Sequence, residues 1–133
     1  MRKLITITIL ISIFVGLGTA AVAAEEVNLY TNRHYDTDEE ILNRFTEETG
    51  IEVNVLKGDS DQLIERIARE GKNSPADLLI TADAGRLHRA KERDILQSVT
   101  TETLKHNVPA NLRDQDNYWY GLTMRARVIV YAK

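Results

Sequence analysis

The residues in this sequence with the clearest chemical reach stand together at positions 33–35. His34 and Tyr35 put an imidazole and a phenol side by side, with the guanidinium of Arg33 immediately before them. A phenolate is a hard, anionic oxygen donor suited to Fe(III), and a neighbouring cation favours the anionic form. By spacing alone, a His-Tyr pair on a loop is more often a packing or capping feature, and both readings stand at this level. Arg125 and Arg127 form a second candidate. Alternate residues of a strand share a face, so the two could hold a carboxylate or carbonate anion together, or form cross-strand ion pairs.

Other residues offer less. Asp83 could ligate a metal, but its place just before a helical pattern favours the N-cap reading. His88 and His106 lie in polar surroundings, and neither has a partner at zinc-site spacing. Tyr118, Trp119 and Tyr120 could make a stacking surface, although aromatics before a glycine in a strand more often pack. The chain contains no Gly-rich phosphate loop and no Ser or Cys nucleophile motif. Nothing therefore supports catalysis, and a binding protein rather than an enzyme is expected.

Positioning His34 and Tyr35 requires a scaffold, and the hydropathy pattern supplies one in the order strand, helix, strand, helix, strand, helix. Val27–Tyr30 alternates, as a strand does. Thr37-Asp38-Glu39-Glu40 has capping-box spacing, Ile41, Leu42 and Phe45 share a helical face, and Gly50 can supply a left-handed stop. Ile51, Val53 and Val55 alternate as a second strand. Asp59 or Ser60 can cap a second helix with Leu63, Ile64, Ile67 and Ala68 on one stripe, closed by Gly71. Ala76–Thr81 is nearly continuous in apolar residues, as a strand buried on both faces is. Leu87, Ala90 and the stem of Lys91 share one side of a third helix running to about Arg93.

Residues Val99–Asn117 are polar, with Pro109 among them, and predict short helical turns and loop. Tyr118–Thr123 and Ala126–Tyr131 predict two further strands. Successive strand–helix units need right-handed crossovers, so the fold class is α/β with a mainly parallel sheet covered on both faces by helices. In such sheets ligands bind beyond the carboxyl ends of the strands. The loop 31–36, which carries His34 and Tyr35, leaves the first strand there.

Composition sets the wider frame. The 133 residues carry 17 Lys+Arg against 20 Asp+Glu, no Cys, and 43% hydrophobic residues. That is one ordinary domain, too apolar for a disordered tail and without the basic balance of a nucleic-acid binder. Arg2 and Lys3 are the only charges before Glu25. The apolar run Leu4–Leu17 gives way to small residues, and the small-x-small rule allows cleavage after Ala23 or Ala24. Residues 1–24 therefore read as a secretory signal peptide rather than a membrane anchor, leaving no stable membrane insertion after cleavage. The remaining 109 residues carry 15 basic and 20 acidic side chains, a net charge of −5. A secreted chain without cysteine must rely on its hydrophobic core.

Four stretches carry a family resemblance: Val27–Tyr35 (VNLYTNRHY), Phe45–Val55 (FTEETGIEVNV), Gly71–Thr81 (GKNSPADLLIT) and Trp119–Lys133 (WYGLTMRARVIVYAK). In that order they resemble the periplasmic ferric-iron-binding proteins, the substrate-binding subunits of iron ABC importers. The resemblance implies the type II periplasmic-binding fold, in which two α/β lobes close on the ligand as in half of a transferrin. It implies a ferric ion, possible company of a synergistic anion such as carbonate, an inner-membrane ABC permease as partner, and a periplasmic location. His34 and Tyr35 fall where the family's first loop supplies His and/or Tyr to iron, with Tyr35 ranked first. Some relatives add a Glu from the loop after the third strand, where this sequence has Ala82.

The resemblance also implies that the further Tyr ligands come from a second lobe. Residues 25–133 are accordingly expected to be the first segment of the N-terminal lobe, ending at the crossover to the second with an incomplete site. Two other readings remain open at this level: a type II receptor for another anion held by Arg33, Arg125 or Arg127, and a nonfunctional fragment of a disrupted gene. An extracytoplasmic hydrolase is disfavoured by the missing motifs.

Overall fold

A parallel ladder needs a crossover between each pair of strands, and this chain meets that need with two successive strand–helix units. The computed structural model describes residues 25–126 and 128–132. Strand β1 (Glu26–Thr31) leads into helix α1 (Asp36–Thr49), β2 (Glu52–Lys57) into α2 (Ser60–Glu70), and β3 (Leu78–Ile80) into α3 (Ala84–Glu92). The sheet order is β2-β1-β3, with both pairings parallel. The chain moves from β1 to one side and then back past it to the other. Right-handed crossovers therefore put α1 and α2 on opposite faces.

Register decides what each face carries. Tyr30 stands opposite Leu56 on one side and Leu79 on the other. These three face α2, where buried Leu63 and Ile67 close the core with Tyr30, joined by Ala76 and Ile95. One residue earlier, Leu29, Val55 and Leu78 form the row on the α1 face. Leu29 is buried, but Val55 and Leu78 are 40% and 50% exposed, and α1 itself leaves Ile41 and Phe45 exposed. The expectation of a third strand buried on both faces is thus corrected. As the outer strand, β3 has a ladder neighbour on one side only, and the core lies on the α2 side of the sheet.

The helix boundaries show which local signals held. Asp59 caps α2, its carboxylate accepting from the N–H groups of Asp61 and Gln62. Asp83 caps α3 by accepting from the Arg86 N–H. Asp83 does so with φ at +64° and ψ at 145°, a strained backbone for a residue with a side chain. Gly50 ends α1 at φ +74°, a conformation that costs glycine little. The capping box at Thr37–Glu40 is not formed. Helix α1 begins at Asp36, one residue before Thr37, and its N-cap is Tyr35, which makes no side-chain cap hydrogen bond. A phenol cannot fold back to its own helix N–H groups as a hydroxyl or carboxylate does.

Beyond α3 the chain forms α4 (Glu102–Asn107), capped by Thr101, and a 3-10 turn at Ala110–Leu112. The two strands expected at Tyr118–Thr123 and Ala126–Tyr131 are absent among the described residues. Tyr120 forms one isolated antiparallel bridge with Arg113, and residues 121–126 and 128–132 have no regular structure. Leu122, Met124, Val128, Ile129, Val130 and Tyr131 are 70–95% exposed. High β-propensity reflects fit to a pleated, half-buried surface, and among the described residues no ladder partner stands beside this segment to provide one. Where the Arg113–Tyr120 bridge closes, the Gly121 N–H donates to the Leu112 carbonyl at 2.7 Å. A side chain at 121 would bring its Cβ within 2.8 Å of that oxygen.

The turn at 113–120 is tied to α3 by a charged contact. Lys91 Nζ reaches both Asp114 carboxylate oxygens (3.0 and 2.8 Å) and Asp116 (2.7 Å). Asp114 also accepts from the backbone N–H groups of Asp116 and Tyr118. Burial by itself would raise the Asp114 pKa, but these hydrogen bonds and the Lys91 charge outweigh it and hold the carboxyl below its ordinary value. A folded-state pKa below the unfolded one means that the unfolded chain binds more protons in acid. The contribution of Asp114 is thus present above its unfolded pKa of about 4 and is lost as pH falls through the folded value. Asp114→Asn is expected to lower the thermal midpoint at pH 7 and to flatten its fall between pH 5 and 3. Calorimetric scans across that range check this, and an acid limb as steep as that of the parent would contradict it.

Candidate functional site

The loop after β1 is held from both flanks at the carboxyl end of the sheet. The Gly58 N–H, just past β2, donates to the Thr31 carbonyl at 3.0 Å, and the Asn32 N–H donates to the Ile80 carbonyl of β3 at 3.3 Å. The Arg33 N–H then turns back onto the buried Thr31 hydroxyl at 3.0 Å. These bonds fix where His34 and Tyr35 leave the sheet. The starts of α1, α2 and α3 lie at this same edge, because each follows its strand by a short connection.

The two predicted donors stand together. The His34 and Tyr35 rings stack with centroids 5.1 Å apart and planes inclined by 20°. His34 Nδ1 lies 3.5 Å from the Asn32 carbonyl. Tyr35 is 49% exposed, and its hydroxyl has no hydrogen-bond partner among the described residues. An exposed phenol beside an imidazole is a pair of donors open to a ligand arriving from solution. No group of three or more His, Cys, Asp or Glu side chains suited to a metal ion occurs among the described residues.

The candidate anion ligands are placed differently. Arg33 is engaged with Asp38 through a two-pronged contact, Nη2 to Oδ1 at 2.8 Å and Nε to Oδ2 at 3.0 Å. The Asp38 hydrogen bond, more than its charge, holds the Arg33 pKa above its ordinary value, and the same contact lowers that of Asp38. Arg125 is exposed and makes no ion pair among the described residues, while Arg127 lies outside the described residues. Arg125 itself stands in a segment without regular structure. Of the remaining candidates, His88 pairs with Glu92 at 3.6 Å, and Tyr118 lies under the Lys91 ammonium at 4.9 Å.

Two features of the site were not read from the sequence. Asp38 lies within the expected capping box, whose roles fall to Thr37 and Glu40, and its partner is Arg33. The signal available was an opposite charge five residues on, across a loop too short to let the pair separate far. Asn32 has a buried Oδ1 without a partner among the described residues, at the start of the same loop. Charge matching along this edge is otherwise close: Lys57 pairs with Glu39, and Arg86 with Asp61 and Asp83.

Comparison with known proteins places this arrangement. The profile described as bacterial extracellular solute-binding protein matches residues 30–133. Iron uptake protein A1 of Synechocystis sp. is 55% identical over 109 residues, which are 82% of this chain and 30% of that protein. A Trichodesmium structure (IdiA, FutA) in complex with iron and citrate ligands superposes with a TM-score of 0.71 at 52% identity, covering 72% of this chain and 30% of that one. The ferric binding protein from Campylobacter jejuni gives 0.69 at 45% identity, with 71% and 30% covered. The chain thus spans about 30% of the length of the relatives it matches. Its β2-β1-β3 parallel sheet with flanking helices is part of one lobe of the type II periplasmic-binding fold that these ferric-binding proteins share. With the profile covering most of the sequence and the fold agreeing, the chain belongs to the bacterial extracellular solute-binding protein family.

Proposed function

We propose that this chain forms the first-lobe part of an extracytoplasmic receptor that captures ferric iron and hands it to the permease of an ABC importer. Tyr35 is the principal donor, with His34 beside it. The observation that carries this reading is the exposed Tyr35 phenol, unpartnered among the described residues and stacked on an imidazole at the carboxyl edge of the parallel strands. Arg33, Lys57 and Arg86 at the same edge already face carboxylates, which leaves hard oxygen and nitrogen donors, rather than spare cations, toward an incoming ligand. That balance favours a metal ion over a simple anion. The names of the relatives, an iron uptake protein and ferric binding proteins, point the same way.

Two adjacent donors do not fill the coordination of Fe(III). The rest comes from water, from an anion such as carbonate or citrate, or from polypeptide outside these residues. In this reading residues 1–24 act as the export signal, residues 25–133 as the opening segment of the N-terminal lobe, and the protein binds without catalysing.

Titration with ferric citrate tests the proposal. Binding through a phenolate produces a visible charge-transfer band that citrate alone lacks. The competing reading, an anion receptor using the exposed Arg125, requires instead that carbonate, phosphate or citrate without iron raise the thermal midpoint. A midpoint raised equally by the metal-free anions, with no visible band, would sink the ferric assignment.

A further inference from the structure

We propose that the Arg33–Asp38 pair is the positioning device of Tyr35, a role that rests on the ferric reading above for its purpose but not for its geometry. Tyr35 is the N-cap of α1 and lacks the side-chain cap bond that normally holds a helix entry. The pair supplies the missing restraint. Arg33 is anchored to the sheet by its N–H on the Thr31 hydroxyl at 3.0 Å. Its guanidinium then grips Asp38 in the first turn of α1, and the Asp38 N–H donates to the Tyr35 carbonyl at 3.0 Å. Residues 34 and 35 are thereby enclosed in a ring of contacts closed at both ends. The guanidinium carbon also lies 5.2 Å from the centroid of the Tyr35 ring, against the 5.1 Å separation of the His34 and Tyr35 rings. The phenol consequently has a cation and an imidazole as neighbours, both contributed by the loop that carries it.

Stability alone is a weak account of this pair. Its side chains are 34% and 24% exposed, and ion pairs in contact with water add little to folding. What the planar fork adds is direction. Two parallel N–H···O contacts fix the guanidinium plane, which the point charge of lysine does not do. Supporting contacts behind a metal ligand typically change affinity about 10- to 100-fold.

The test uses the full chain with ring-labelled tyrosine, the Tyr35 signal being assigned from Tyr35→Phe. Ring relaxation measured without iron, and the rate of ferric release to a chelator, are compared in the parent, Arg33→Lys, Asp38→Asn and Asp38→Glu. Circular dichroism confirms folding of each. In the parent and in Asp38→Glu, which keeps the charge pair, the Tyr35 ring is expected to be ordered. In Arg33→Lys and Asp38→Asn it is expected to become mobile, and ferric release to accelerate about 10-fold, with thermal midpoints within a few degrees of the parent. A Tyr35 ring as mobile in the parent as in Arg33→Lys overturns the proposal, as does an Arg33→Lys protein that matches the parent in both measurements. Ring ordering that follows the pair, in proteins that never develop a ferric band, upholds the positioning role and overturns the ferric reading instead.

Discussion

Tyr35→Phe is expected to abolish the visible ferric charge-transfer band and to weaken ferric affinity by at least roughly 10-fold, the lower end of what even supporting contacts contribute at metal sites. The substitution removes one oxygen and leaves the ring, so stacking on His34 and the 5.2 Å approach of Arg33 have no reason to change. The loop is held by hydrogen bonds to Gly58, Ile80 and the Thr31 hydroxyl, none of which involves the phenol oxygen. The thermal midpoint without iron should accordingly match the parent. His34→Ala, in comparison, should leave the band in place, because the band reports the phenolate. Spectra recorded during ferric citrate titration decide the matter: a band of parental intensity in Tyr35→Phe would show that another oxygen donor holds the iron.

Leu63→Ala is the substitution with the largest expected effect on folding. Leu63 is 4% exposed, belongs to the Tyr30–Ile67 cluster, and packs over Gly58, where an added Cβ would come within 3.1 Å of the Leu63 Cδ2. Truncating a buried leucine costs about 2–5 kcal/mol, the spread reflecting how far the neighbours can close the cavity. Small domains are stable by only about 5–15 kcal/mol, so the loss is a large share of the total. Ile41→Ala is the control. Ile41 is 65% exposed on α1, and its removal should shift stability by no more than about 0.5 kcal/mol. Urea unfolding followed by far-ultraviolet circular dichroism checks both. Equal losses would show that the α1 face is as well packed as the α2 face, contrary to the structure.

The contrast between these helices marks where sequence reading succeeds. The apolar stripe of α2 and the Asp59 and Asp83 caps are local patterns, set by the helical period and by a carboxylate within reach of its own backbone. They appear in the structure as read. The capping box at Thr37–Glu40 has the correct residues at the correct spacing, but the helix starts two residues earlier than that box would set it, with Tyr35 rather than Thr37 as N-cap. With Thr37 inside the first turn, its hydroxyl no longer stands at the N-cap where the box needs it. Lys91 shows the same limit from the other side. Its stem was legible as helix packing, while its destination, Asp114, lies 23 residues away.

By itself the sequence determined the alternation of three strands with three helices, the parallel pairing that this order requires, and the loop at the strand edge where His34 and Tyr35 sit. These follow from hydrophobic period, capping chemistry and crossover handedness, all of which act over a few residues or by topology. Only the tertiary structure decided that the core lies on the α2 face and that Arg33 is committed to Asp38. It also decided that residues 121–126 and 128–132, although rich in β-formers, hold no strand. A strand is completed by its neighbour, and an ion pair by whichever partner comes nearest. Both depend on what folding brings alongside, which no single stretch of sequence contains.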